Sequence, residues 1–242
     1  MIGNNPVQIS GIAKGSGMIQ PNMATMLAFL VTDANISKSM LSKALENSVQ
    51  ESYNLVSVDG DTSTNDTVIA IANGTAENSL IETTNGDYIV FKDALDFVNQ
   101  ELAKMIAKDG EGATKLIEAS VSNARTTADA KLGAKAIISS NLVKTAFFGS
   151  DANWGRILCA LGYSGANFEP EKVDISFQSN AGVIQVAKDG IGIHFNEEEA
   201  LKILGEDQIT VLIDLKDGES HASAWGCDLS YDYVKINGSY RT

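Results

Sequence analysis

KGSGMIQPNMATMLAFLVTDA, residues 14–34, joins a glycine-rich loop to an apolar run. Gly15 and Gly17 flank Ser16, and Pro21 biases Gln20 away from helix. Residues 25–31 read as a buried strand. Thr25 therefore stands where the loop enters the strand, directly after the small residue Ala24. Two readings of Thr25 follow. It is either a β-branched residue packed into a strand, or a nucleophile whose hydroxyl attacks the carbonyl of Ala24 and cuts the chain. Cleavage would leave Thr25 as a new amino terminus. Its α-amine, with a pKa of roughly 7.7–8.0, would then serve as base for its own hydroxyl.

Upstream, residues 1–24 are rich in Gly, Asn and Pro, with a short apolar alternation at Val7, Ile9 and Ile12 that predicts one strand. Downstream, Ser37 is placed to cap a helix carrying Met40, Leu41, Ala44, Leu45 and Val49 as far as about Tyr53. Leu55–Val58 and Val68–Ala72 read as strands around the polar loop 59–67. A second helix is expected from about Lys92 to Ala107, ended by Gly110-Glu111-Gly112 with glycine as its cap. Leu116–Val121 reads as a strand, and residues 126–139 as an alanine-rich helix weakened by Gly133. Beyond Ser140 a smaller α+β unit is expected. It has strands at 142–147, 173–177, 183–187, 208–214 and 222–227, and helices starting at Asn153 and at the cap Asn196. The fold class this implies is α/β (α+β): a layered sandwich of sheets and helices with a smaller carboxyl-terminal α+β domain. The divisions are 1–24, 25–140 and 141–242.

With 242 residues, 44% hydrophobic and 20% charged, the composition is that of an ordinary globular protein. A net charge of -13 argues against a nucleic-acid or anionic-membrane surface, which needs a basic footprint. No apolar run reaches the roughly 18 residues of a membrane helix. Cys159 and Cys227 read as reduced thiols of a cytoplasmic protein. The sequons at Asn65, Asn73 and Asn237 are chance matches without a secretory signal. Asp59-Gly-Asp61-Thr-Ser63-Thr-Asn65-Asp66 hints at a calcium loop. It lacks glycine at the sixth position, held by Thr64, and glutamate at the twelfth, held by Ala70. It reads as a polar loop near the site, with no metal. His194 and His221 show no ligand spacing, Gly15-Ser16-Gly17 is too short for a nucleophile elbow, and Trp154 and Trp225 read as core or interface.

The stretch 14–34 resembles the self-cleavage region of the ornithine acetyltransferase family, the bifunctional glutamate N-acetyltransferases. SVDGDTSTNDT (57–67), DGEGATK (109–115), NLVKTAFFGSDANWGRI (141–157) and YVKINGSYRT (233–242) resemble the same family in the same order. The resemblance implies an amino-terminal-nucleophile-like enzyme, cut between Ala24 and Thr25. Thr25 would carry an acetyl group from N-acetylornithine to glutamate in arginine biosynthesis. It also implies that Lys14, Thr25, Glu111, Asn237 and Thr242 bind substrate. An ammonium at Lys14 suits a substrate carboxylate, and a carboxylate at Glu111 suits the ornithine ammonium. Gly110 and Gly112 would let the ligand come close. No cofactor is implied, and acetyl-CoA stays open as a co-substrate.

The family pattern departs in one respect. A longer upstream (alpha) segment supplies a Thr-Gly pair that stabilises the oxyanion, and nothing in residues 1–24 matches it. The expected partner is therefore that upstream segment, in a heterotetramer of two alpha and two beta chains. Two rival readings stand beside this one: a self-cleaving amidase or aminopeptidase with water as acceptor, and an inactive truncated remnant that only binds.

Overall fold

The computed structural model describes residues 1–20 and 26–239. Two sheets organise them. The smaller contains β1 (Ile9–Lys14), β2 (Leu27–Thr32) and β4 (Thr67–Ala72) in that order, with β3 (Val56–Ser57) belonging to the other sheet. β1 runs antiparallel to β2, and β2 parallel to β4. β2 and β4 are apolar at nearly every position, the pattern of strands buried on both faces. One face is buried: Ala28 and Leu30 pack with Val68, Ala70 and residues of α1 (Lys38–Gln50) and α2 (Gly86–Lys108). The other face is bare. The register aligns Ile12, Phe29 and Ile69 in one row and Val31 beside Ile71 in the next. Their exposures run from 40% at Ile69 to 70% at Ile12.

The larger sheet has seven strands in the order β3-β10-β5-β9-β6-β7-β8. Its further members are β5 (Leu116–Ala124), β6 (Asp174–Ser179), β7 (Gly182–Lys188), β8 (Ile191–Gly192), β9 (Gln208–Asp214) and β10 (Ser220–Cys227). Here the alternation is clean. Ile117, Ala119 and Val121 of β5 and Ile209, Val211 and Ile213 of β9 face the main core, and the residues between them, polar except Leu212, are half-buried. α3 (Thr127–Ser139) lies over β5 and β10, with α5 (Trp154–Gly162) packed on α3 and α6 (Glu197–Leu204) on β6 and β7. Layered sheets and helices, the expected fold class, are thus what forms. The expected division near Ser140 falls between α3 and α4 (Asn141–Phe148), and the larger sheet takes strands from both sides of it.

Local signals placed most helices correctly. The side chains of Ser37, Thr126, Asn153 and Asn196 each accept a backbone N–H from the first turn of their helix. Asn85 does the same for α2, which begins six residues earlier than expected. α1 stops at Gln50 and gives way to a 3-10 turn at Tyr53–Leu55. Residues 142–147 are not a strand. Ser140 caps α4 by accepting the Val143 N–H, and Val143, Ala146 and Phe147 are buried at helical spacing. A short apolar run of this kind fits either element, and the cap decides it. The cap of α2 is Asp109 rather than a glycine. Gly110 is instead needed where the chain meets Cys227: a Cβ there would lie 2.9 Å from its sulfur.

Candidate active site

β1 ends on Lys14, and the register sets it opposite Leu27, two residues past Thr25. The side chain is exposed and makes no salt bridge among the described residues. From there the loop to residue 20 is pinned by the segment 57–62. Met18 and Ile19 donate their backbone N–H groups to the Asp59 carboxylate at 2.6 and 3.0 Å. Val58 N–H donates to the Ile19 carbonyl at 2.7 Å. The Thr62 hydroxyl donates to the Gln20 carbonyl, and those of Ser57 and Ser139 to the Gln20 side-chain oxygen, all at 3.0 Å. On the far side of residues 21–25, Asp66 accepts the Met26 N–H. The chain entering and leaving residues 21–25 is therefore held by one polar loop, residues 57–66. Ala24 and Thr25 themselves lie outside the described residues, as does Thr242.

Glu111 meets this loop from the other side. Its backbone N–H donates to the Ser16 carbonyl at 2.8 Å. Its carboxylate lies against Gly17, where a Cβ would be 2.5 Å from Cδ. Asn237, on α7 (Tyr231–Ser239), donates to Glu111 Oε2 at 2.8 Å. Two residues 126 positions apart thus meet beside the loop that leads to Thr25. Gly112 has φ +69, and a Cβ there would meet the Tyr233 nitrogen at 2.5 Å. The space that glycine frees is filled by the start of α7, not left for a ligand, which corrects that part of the sequence reading.

Several residues that build this arrangement had no local signature. Asp228 is buried and accepts from Thr114 N–H, Thr114 hydroxyl and Lys115 N–H at 2.8, 2.5 and 2.9 Å. Ser230 donates to the Gly112 carbonyl at 2.5 Å and accepts from Asp232 and Tyr233 N–H at the start of α7. The buried Lys144 ammonium donates to the Cys227 carbonyl. The Lys115 ammonium, whose pKa burial lowers, donates to the Phe147 and Leu204 carbonyls and to Ser150. Tyr233 donates to Asp59 at 3.3 Å; burial and the negative charges of Asp59, Asp61 and Glu111 push its hydroxyl up to about 12. Four of the five sequence words, at 14–34, 57–67, 109–115 and 233–242, therefore interlock around one place although they lie far apart in the chain.

Met26 and Asp66 also line a pocket of about 170 Å³ with Leu45, Val49, Tyr53 and Val68. Its walls are mostly apolar, and Lys14, Glu111 and Asn237 are not among them. Both cysteines are free thiols. His194 and His221 are exposed, Trp225 is core, and Trp154 packs at the core's edge. No cluster of three or more metal-ligating side chains occurs among the described residues. No helix among them is long and apolar enough to cross a membrane.

A family model described as the ArgJ family matches residues 1–242. The chain is 60% identical over 242 residues to "Arginine biosynthesis bifunctional protein ArgJ 1" of Clostridium acetobutylicum, covering 100% of this chain. It is 58% identical over 236 residues to "Arginine biosynthesis bifunctional protein ArgJ" of Caldanaerobacter subterraneus subsp. tengcongensis, covering 98% of this chain. The match spans 59% of the length of each relative. A crystal structure of the ArgJ protein of Bacillus halodurans superposes with a TM-score of 0.85 at 47% identity, over 89% of this chain and 100% of that one.

Proposed function

The chain belongs to the ArgJ family, and from that premise we propose that it is the nucleophile-bearing part of a self-processing acetyltransferase of arginine biosynthesis. The chain is cut between Ala24 and Thr25. The Thr25 hydroxyl then adds to the acetyl carbonyl of N-acetylornithine. The amide C–N bond breaks, and the hydroxyl proton, taken up by the Thr25 α-amine, leaves on ornithine. The amine of glutamate attacks the resulting ester, giving N-acetylglutamate and restoring Thr25. Lys14 holds a substrate carboxylate and Glu111 the ornithine ammonium, with Asn237 and Thr242 closing the site from the tail. No cofactor enters this scheme, and acetyl-CoA is a second donor to be assayed. A cytoplasmic setting accords with it.

The observation that carries this reading is the meeting of Glu111 with Asn237 beside the loop that leads to Thr25. An acidic group steadied by an amide donor, with Lys14 at the end of β1 making no salt bridge among the described residues, suits an amino acid bearing both charges.

The partner in this reading is the family's upstream (alpha) segment, which supplies the oxyanion donors. Its support is the bare sheet face of Ile12, Phe29, Val31, Ile69 and Ile71, on strands whose composition suits burial on both sides. The assembly is a heterotetramer of two such pairs. The test is to express residues 1–242 with a family-type upstream segment, then to measure chain masses and ornithine release. Two pieces divided at Ala24–Thr25, with acetyl transferred to glutamate, are expected, and Thr25→Ala should leave the chain uncut. Cutting of Thr25→Ala at the same bond overturns self-cleavage. Acetate release with no N-acetylglutamate overturns the choice of acceptor.

A further inference from the structure

One carboxylate, that of Asp59, accepts four hydrogen bonds. Oδ2 takes the Met18 N–H at 2.6 Å and the Tyr233 hydroxyl at 3.3 Å. Oδ1 takes the Ile19 N–H at 3.0 Å and the Asp61 N–H at 3.2 Å. The bond to Asp61 is the ordinary turn made by an aspartate two residues on. The other three are not local: they span 41, 174 and 40 residues. Two of them end on the loop that runs to Thr25. The third ends on α7, one helical turn before Asn237.

We propose that Asp59 is a positioning residue that sets the cleavage loop against the carboxyl-terminal helix, so that self-cleavage and substrate recognition depend on one carboxylate. This rests on the function proposed above. The physical reason is the acceptor-only character of an ionised carboxylate, which satisfies donors at both oxygens at once. An amide in its place cannot. Whichever way an asparagine turned, the Met18 or the Ile19 N–H would face an NH₂ group and lose its acceptor. Met18 is also held at φ +54, a left-handed conformation that costs free energy and persists only where its surroundings enforce it.

The two arms separate by mutation. Tyr233→Phe removes only the arm to α7. It should leave the rate of cleavage unchanged and raise KM for the acetyl donor several-fold, with kcat less affected. Asp59→Asn breaks the loop arm at Met18 or at Ile19 in either orientation, and the α7 arm as well when its NH₂ group takes the Oδ2 position. It should slow cleavage by about tenfold or more, as expected for the loss of a hydrogen bond to a charged group, and raise KM as well. Both rates are measured in the assembly with the family-type upstream segment, and the melting temperature checks the fold of each variant. Backbone amide exchange in residues 1–242 gives a readout independent of activity. Asp59→Asn should speed exchange by about tenfold at Met18 or Ile19, whichever loses its acceptor, whereas Tyr233→Phe should not. Failure of the wild-type assembly to cut or transfer counts against the proposed function, and exchange still decides the role of Asp59. Wild-type protection of Met18 and Ile19 in Asp59→Asn overturns the inference. So does a Tyr233→Phe variant that slows cleavage as much as Asp59→Asn.

Discussion

Replacing Gly17 by alanine adds a single methyl group, and the structure says where it lands. The new Cβ would lie 2.5 Å from Glu111 Cδ and 2.6 Å from each carboxylate oxygen, whereas ordinary contact begins at 3.4 Å. Glu111 must therefore retreat by about 1 Å. Residue 17 is not in the left-handed region, so alanine adds no backbone strain there. The group in the way is the end of a flexible, partly exposed side chain, so the loss of stability should stay near the roughly 0.5 kcal/mol of an ordinary surface change. Recognition responds differently. The Asn237 bond, 2.8 Å in the wild type, is stretched unless α7 follows, and the carboxylate leaves the position from which, in the proposed function, it holds the substrate ammonium. A misplacement of about 1 Å commonly lowers turnover on the order of 100-fold. The assay compares kcat/KM for N-acetylornithine with that for an acetylated donor lacking the side-chain amine, in the complete assembly, together with the melting temperature. A large loss confined to the charged donor, at nearly constant stability, is expected. Equal kcat/KM for mutant and wild type on N-acetylornithine would refute the argument, because Glu111 could then move without consequence.

Three further outcomes are expected. Glu111→Gln should weaken binding of the charged donor by roughly 2–5 kcal/mol and spare the uncharged one; equal losses, read from inhibition constants, would remove Glu111 from side-chain recognition. Val31→Lys, on the bare sheet face, should leave the fold of residues 1–242 intact, because the residue is 54% exposed. It should weaken association with the upstream segment by about 1.5–3 kcal/mol, the burial it forfeits, and unchanged affinity by titration calorimetry would point the partner elsewhere. For Tyr233, the folded value of about 12 lies above the ordinary 10.0, so folding favours the protonated hydroxyl. Its contribution is complete below pH 10 and is lost as pH rises through 12. Wild-type stability should therefore fall relative to Tyr233→Phe between pH 10 and 12, and denaturant curves that stay parallel across that window would contradict the assignment.

Local chemistry was legible without coordinates wherever a few neighbouring residues decide the outcome. Ser37 and Asn196 could be named as helix caps, and Thr126 and Asn153 as helix starts, because a cap is a bond between a side chain and a backbone two or three residues on. Residues 142–147 were misread because four apolar residues in a short run suit a strand as well as a helix. The cap Ser140, one residue before α4, was the signal that could have settled it.

The candidate site divides along the same line. Lys14, Glu111 and Asn237 stood out only through their resemblance to a family pattern, since a lysine by glycines or an asparagine in a tail has no distinctive local chemistry. Asp59 was visible as part of a polar loop, but nothing near it indicated Met18 or Tyr233 as its donors. Asp228 and Ser230 gave no sign at all. By itself, the amino-acid sequence determined most of the alternation of strands and helices, the caps Ser37 and Asn196, and the two-sided apolar character of β2 and β4. Only the tertiary structure decided which face of those strands is bare and which carboxylate receives which donor. The reason is physical: helix caps and periodicity are set over three or four residues, whereas the bonds that assemble this site join groups distant in the chain, 126 residues apart for Glu111 and Asn237 and 174 for Asp59 and Tyr233. Such pairings exist only once the two sheets and their helices have packed.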